Sequence, residues 1–157
     1  MATILEKHEV LERLSGLSTE DYPGGATVLA TGATTGKLLI LKKGLVEVVK
    51  DGVQIERVDE PGKVFGELSA LLGKPHGADV RTLEPTTFYV SRAETFLNVA
   101  PMAALYVAMT LAERVDETNR ALVELSKRLD DPSVSRGAIA ETIETMARAI
   151  HFGGPLF

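Results

Sequence analysis

From Gly62 to Val80 the chain reads Gly-Lys-Val-Phe-Gly-Glu-Leu-Ser-Ala-Leu-Leu-Gly-Lys-Pro-His-Gly-Ala-Asp-Val. An apolar strand end, Val64-Phe65, runs into Gly66-Glu67. A short helical stretch, Leu68 to Leu72, follows, and then a loop broken by Gly73, Pro75 and Gly77. A glycine at the mouth of a short helix exposes backbone N–H groups, and helix N-termini favour anions. The stretch is therefore shaped as a small cradle for a phosphate or carboxylate, with Glu67 placed to accept hydrogen bonds from a neutral polar group. The same residues also describe an ordinary strand–turn–helix junction, and only their neighbours separate the two.

Those neighbours are strands. Short apolar runs occur at Val28-Ala30, Leu38-Leu41, Leu45-Val49, Val53-Val58, Val64-Phe65, Ala78-Thr82 and Thr86-Val90. Turn residues separate them at Thr31-Gly32, Lys43-Gly44, Asp51-Gly52, Glu60-Pro61-Gly62 and Glu84-Pro85. Asp51-Gly52 between two alternating runs is a strong hairpin signature. Short strands spaced about ten residues apart predict a sandwich or barrel, and a jelly roll accommodates such a series.

Helical texture flanks the strands. Ile4, Leu5, Val10, Leu11, Leu14 and Leu17 have the spacing of an amphipathic helix that stops near Gly16. Ser18-Thr-Glu-Asp21 has the form of a capping box and predicts a further turn. Arg92 to Leu97 predicts one short turn, and Pro101 is placed to open a helix running from Met102 to Leu129. Ala104, Ala108, Leu111, Val115, Thr118, Leu122, Leu125 and Leu129 recur along it in alternating four- and three-residue steps, with the pairs Asp116–Arg120 and Glu124–Arg128 off that seam. Asp130-Asp131-Pro132 ends it. Ser133 or Ser135 then caps a last helix with the stripe Ile139, Ile143, Met146, Ala147 and Ile150, and Gly153-Gly154-Pro155 leaves Leu156-Phe157 as an apolar tip. The expected class is mainly β with flanking helices (α+β): a double-stranded β-helix, or jelly roll, in residues 1–129 together with its long helix, and a C-terminal helical tail in residues 130–157.

Composition narrows the function. The chain has 157 residues, 45% hydrophobic and 25% charged, as in soluble one-domain proteins. Without cysteine there is neither a disulfide framework nor a thiolate chemistry, and with no signal peptide or spanning segment the expected location is cytoplasmic. A net charge of −5 argues against a nucleic-acid surface. His8, His76 and His151 lie in unlike segments, so no metal site is expected. GxSxG and Walker A sequences are absent, and Glu67 with His76 lacks an accompanying nucleophile, so an enzyme is not expected.

The order of elements, a leading helix, strands interrupted by Gly-Glu-Leu and a small helix, then a long helix, resembles the cyclic nucleotide-binding domain family. That family includes catabolite-activator-type regulators, cyclic-nucleotide-gated channels and cyclic-nucleotide-dependent kinases. The resemblance covers about Tyr22 to Leu129. It is carried by the Gly32, Gly44 and Gly62 turns, Phe65-Gly66-Glu67-Leu68, Ala70-Leu71-Leu72, Pro75, Ala78, Val80 and Phe96. It implies that the opening stretch is a phosphate-binding cassette for cAMP or cGMP. Gly66 and Leu68 would then present backbone groups, Glu67 would accept the ribose 2′-hydroxyl, and the Ala78 N–H would reach the cyclic phosphate. On the long helix, Thr118-Asn119 matches the pair that reaches the base in the regulators.

This sequence departs from the family at three positions. His76 stands where an arginine clamps the phosphate, Gly77 where a small hydroxyl residue touches it, and Asp79 where Thr or Ser is usual. Losing a charge-assisted hydrogen bond costs on the order of 1.5–3 kcal/mol, roughly ten- to hundredfold in affinity. A protonated His76 substitutes in part if an adjacent anion favours the imidazolium. Arg81 shares a strand face with Asp79, which allows either an Asp79–Arg81 pair or Arg81 itself near the phosphate. Two readings stand together: a weak or pH-dependent cyclic nucleotide sensor, and a degenerate relative acting as a dimerisation or interaction module with an empty or differently liganded pocket.

The long helix supplies the expected partner. A helix of residues 102–129 is about 42 Å long, more than the domain needs, so its second half should project. Val115, Leu122 and Leu129 fall at heptad a positions and Leu111, Thr118 and Leu125 at d, which predicts a homodimer through this seam. The regulators' winged helix–turn–helix has no counterpart in residues 130–157, which are expected to cover the pocket as a lid or to join the dimer.

Overall fold

The computed structural model describes residues 9, 12, 14–99 and 101–151. The expected N-terminal helix lies almost wholly outside them. Its end is seen where Leu17 N–H donates to the Leu14 carbonyl at 2.9 Å and Leu14 is buried in the core. The tip Leu156-Phe157 is also outside.

Among the described residues eight strands follow: β1 (Ser18–Tyr22), β2 (Thr27–Leu29), β3 (Lys37–Lys43), β4 (Val46–Lys50), β5 (Val53–Val58), β6 (Val64–Phe65), β7 (Asp79–Thr82) and β8 (Thr86–Arg92). Between β6 and β7 lies α1 (Glu67–Leu72). After β8 come α2 (Ala93–Val99), α3 (Pro101–Asp130) and α4 (Arg136–His151). The strands form two four-stranded sheets, β1-β8-β3-β6 and β2-β7-β4-β5, with every pairing antiparallel. This is the predicted roll. One element differs: residues 18–22 are a strand paired with β8, in register from Ser18 with Val90 to Tyr22 with Thr86, rather than a capped turn.

The apolar run of β3 shows why two cores form. Successive side chains of a strand point to opposite faces. Leu39 and Leu41 turn inward to meet Val46, Val48, Val58, Phe65, Val80 and Phe88 from both sheets. Leu38 and Ile40 turn outward and pack with Val64, Tyr89, Phe96, Tyr106 and Val107, which brings α2 and α3 onto the back of the first sheet. A strand buried on both faces needs a continuous apolar stretch, and β3 has one. The β4–β5 hairpin turns at Asp51 and Gly52, whose φ values of 51° and 78° are the paired positive angles of a type I′ turn.

The long helix α3 begins at Pro101 as expected and is pinned to the roll early. Tyr106 Oη donates to the Gly62 carbonyl at 2.5 Å, tying the helix to the turn before β6, and burial pushes the phenol up to about 12. The ion pairs Arg120–Asp116 and Arg128–Glu124 both form. Helix α4 folds back along α3 and also reaches β5. Ser135 Oγ accepts the Ala138 N–H at 3.3 Å, capping α4 as one of the two expected serines. Among the described residues, no helix is long and apolar enough to cross a membrane.

Candidate functional site

The cassette begins where β6 ends. Phe65 is fully buried, its ring edge-on to Phe88 at 6.2 Å between centroids, so the strand enters the turn from a fixed point. Gly66 then adopts φ 89°, and a Cβ there would lie 2.6 Å from the Lys37 carbonyl oxygen. Only glycine satisfies both conditions. It delivers Glu67 to the start of α1, where the side chain is buried and Leu68 half-buried.

Glu67 is the electrostatic centre of the site. Its Oε1 accepts from Arg114 Nη1 of α3 at 2.5 Å, with side chains only 1% and 10% exposed. Burial raises the Glu67 carboxyl to about 7, and the guanidinium opposes that rise. One atom on each partner is unsatisfied: among the described residues, Glu67 Oε2 and Arg114 Nε are buried without hydrogen-bond partners. Such atoms are costly unless something donates to the one and accepts from the other.

At the other end of the cassette, two of the three departures from the family pattern, His76 and Asp79, share one neighbour, the loop of residues 30–36. His76 N–H donates to the Ala33 carbonyl at 2.8 Å, and Gly32 N–H donates to the His76 carbonyl at 2.6 Å. The His76 ring is buried, its Nε2 2.9 Å from Thr35 Oγ1. Burial pushes the imidazole below its usual value, so the expectation of an anion-stabilised imidazolium is reversed here. Asp79 Oδ1 accepts the Thr31 N–H at 2.7 Å and Oδ2 pairs with Arg81 Nη2 at 2.6 Å. The Thr31 N–H first, with Arg81 after it, holds the Asp79 carboxyl below the usual range. Gly77 lies half-buried between them, and Ala78 joins the inter-sheet core.

A cleft of about 800 Å³ opens between β5 and its following turn (Glu56 to Glu60), Lys63, the side of α3 from Thr110 to Arg128, and Glu141 and Thr142 of α4. Its size lies within the range of about 300–1,000 Å³ common for small-ligand sites. Arg114 is the residue that belongs both to this cleft and to the Glu67 pair. Of the cassette, neither Phe65, Gly66, Glu67 and Leu68 nor His76, Gly77, Ala78 and Asp79 line it. Neither do Thr118, whose hydroxyl donates to the Arg114 carbonyl at 2.7 Å, and Asn119, which is exposed. Among the described residues, no three His, Asp or Glu side chains gather to hold a metal ion.

Arg114 was not singled out by the sequence reading, though its position carries a signal. Val107, Leu111, Arg114, Thr118, Ala121 and Leu125 follow three- and four-residue steps, and all are buried or half-buried. A charge within an inward stripe needs a buried partner, here Glu67.

Residues 19–101 match the family model of the cyclic nucleotide-binding domain. The chain belongs to this family. As a cyclic nucleotide-binding domain it is similar to the catabolite activator protein of Thermus thermophilus, with 22% identity and a TM-score of 0.60 over 92% of this chain and 85% of that one. It is also similar to PfPKA-R (141–441) solved with cAMP bound, with 19% identity and a TM-score of 0.59 over 86% of this chain and 44% of that one. Both likenesses concern the fold. In sequence, the domain is 28% identical over 86 residues, 55% of its length, to a cAMP-dependent protein kinase regulatory subunit of Yarrowia lipolytica, and it spans 23% of that relative.

Proposed function

We propose that this domain is a non-enzymatic sensor of a cyclic nucleotide, cAMP ahead of cGMP, which it holds chiefly through the ribose at Glu67. The observation that carries this reading is the buried Glu67–Arg114 pair with one unsatisfied atom on each partner. A ribose hydroxyl can donate to Glu67 Oε2, and a ligand oxygen can accept from Arg114 Nε. The relative named for cAMP dependence and the neighbour solved with cAMP support the choice of nucleotide.

The phosphate end is weak by comparison. Burial disfavours the charged form of His76, whose ring is engaged with Thr35, and Asp79 is paired with Arg81. The phosphate is left to backbone N–H groups at Gly66, Leu68, Gly77 and Ala78. Binding should therefore be modest and should not strengthen on mild acidification. Calorimetric titration of the whole chain with cAMP and cGMP at pH 7 and pH 6 tests this. The expected outcome is measurable heat below about 1 mM ligand at both values; no heat at millimolar ligand would sink the proposal.

A second reading, an interaction module with a differently liganded pocket, is favoured by the commitment of His76 and Asp79 to the 30–36 loop. Both readings share a homodimer through α3. Val115, Leu122 and Leu129 stand 60%, 47% and 63% exposed along one edge of the helix, beside half-buried Leu111, Thr118 and Leu125. An apolar heptad edge left uncovered within the chain suits pairing with its own copy.

A further inference from the structure

The two ends of the cassette differ in what they require of a ligand. At the front, the Glu67 side chain is 1% exposed, and its Oε2 has no hydrogen-bond partner among the described residues. A buried carboxylate oxygen in that position needs a donor. A hydroxyl supplies one, and an ionised phosphate does not.

At the back, the cations are engaged elsewhere. A Cβ on Gly66 would meet Leu29 Cδ1 at 3.5 Å and His76 Cε1 at 3.6 Å, so an apolar side chain and an imidazole edge floor the cassette beside the glycine. The imidazole is buried, its Nε2 is held by Thr35, and burial disfavours its charged form. Arg81 is paired with Asp79 at 2.6 Å, Lys37 with Glu20 at 3.4 Å and Arg114 with Glu67, while Lys74 is exposed. An anion entering this end gives up water and meets backbone dipoles alone. That loss is severe for a charge and small for a hydroxyl.

We propose that the cassette accepts uncharged ribonucleosides about as readily as cyclic nucleotides, with the ribose hydroxyls as the group it recognises. The proposal rests on the reading of Glu67 as the ribose contact and widens the ligand class from the anion to the neutral nucleoside. A nucleoside keeps the 2′-hydroxyl that donates to Glu67 Oε2. In place of the cyclic ester it carries neutral 3′- and 5′-hydroxyls, each of which accepts from a backbone N–H without burying a charge.

Calorimetric titration of the full-length chain with adenosine against cAMP, and with guanosine against cGMP, tests this. The base is common to each pair and cancels from the ratio. Each nucleoside should bind within about threefold of its cyclic monophosphate. A cyclic nucleotide bound more than about tenfold more tightly than its nucleoside, the advantage of one charge-assisted phosphate contact, overturns the proposal and leaves the sensor reading in place. 2′-Deoxyadenosine should bind about tenfold more weakly than adenosine, and equal binding would overturn the role given to the ribose. His76→Arg adds a cation to the cassette and should raise the affinity for cAMP about tenfold while leaving that for adenosine within about twofold. An unchanged ratio in that variant counts against the proposal, and if the variant fails to fold the wild-type ratios decide. Adenosine binding without cAMP binding upholds the proposal and removes the cyclic nucleotide as ligand. No heat from any of these ligands at millimolar concentration removes both readings.

Discussion

At position 67 a carboxylate sits in a place that would be hostile to it without Arg114. Burial raises its pKa from 4.5 to about 7, and a carboxyl whose pKa is higher folded than unfolded contributes stability when protonated. That contribution is complete below the unfolded value, near 4.5, and is lost as the pH rises through the folded value, near 7. Urea unfolding at pH 5 and pH 8 should therefore show wild type losing on the order of 2 kcal/mol relative to Glu67→Gln over that interval. Equal slopes with pH would mean that the carboxylate is fully compensated by Arg114. That Glu67 sits at the mouth of a short helix was legible in Phe65-Gly66-Glu67-Leu68. The partners of His76 and Asp79 were not, because Thr35 and Thr31 lie 41 and 48 residues away and carry no motif of their own. Without the loop in view, His76 reads as a substitute clamp; with it, the ring is a buried strut.

Among the elements, the strands with apolar runs were legible because each buries at least one face, and Asp51-Gly52 announced its hairpin. Strand β1 was not, since Ser-Thr-Glu-Asp-Tyr alternates between exposed and half-buried positions at the margin of a sheet and resembles a helix cap in sequence. Its register comes from β8 and from Thr87 Oγ1 donating to Asp21 at 2.5 Å, contacts made across 66 residues. Among the described residues, the Tyr106 hydroxyl holds helix α3 to the turn before the cassette ahead of Arg114. Replacing Tyr106 by Phe strands the buried Gly62 carbonyl and should cost about 1–3 kcal/mol. The check is a lower urea midpoint with an unchanged m-value; an unaltered midpoint would show that the carbonyl finds another donor.

For the molecule as a whole, the open question is what covers the outer edge of α3. Val115, Leu122 and Leu129 repeat every seven residues and remain exposed after α4 has docked, so α4 covers a neighbouring face and leaves the seam available. Leu122→Glu places a charge in the middle of that seam. Sedimentation should show the wild type as a dimer at tens of micromolar and the variant as a monomer with the roll's thermal transition preserved. A wild-type monomer under those conditions removes the dimer. A covering role for residues 130–157 was an expectation of the sequence, whereas the face of α3 on which α4 docks was not legible beforehand. Its stripe Ile139, Ile143 and Met146 marks an amphipathic helix, but the stripe says only that something is covered. Arg128 and Ala138 decide what.

The two polar attachments of α3 at Tyr106 and Arg114 have a mechanical consequence. Tyr106 and Arg114 are eight residues apart, a baseline of about 12 Å, while Tyr106 to Asp130 spans about 36 Å of the same helix. If the Tyr106 hydroxyl serves as a fulcrum, a stiff rod multiplies any sideways step at Arg114 by about three at its far end. A 1 Å adjustment of the guanidinium as Glu67 changes partners becomes about 3 Å at Asp130, enough to carry the start of α4 by most of a side-chain width.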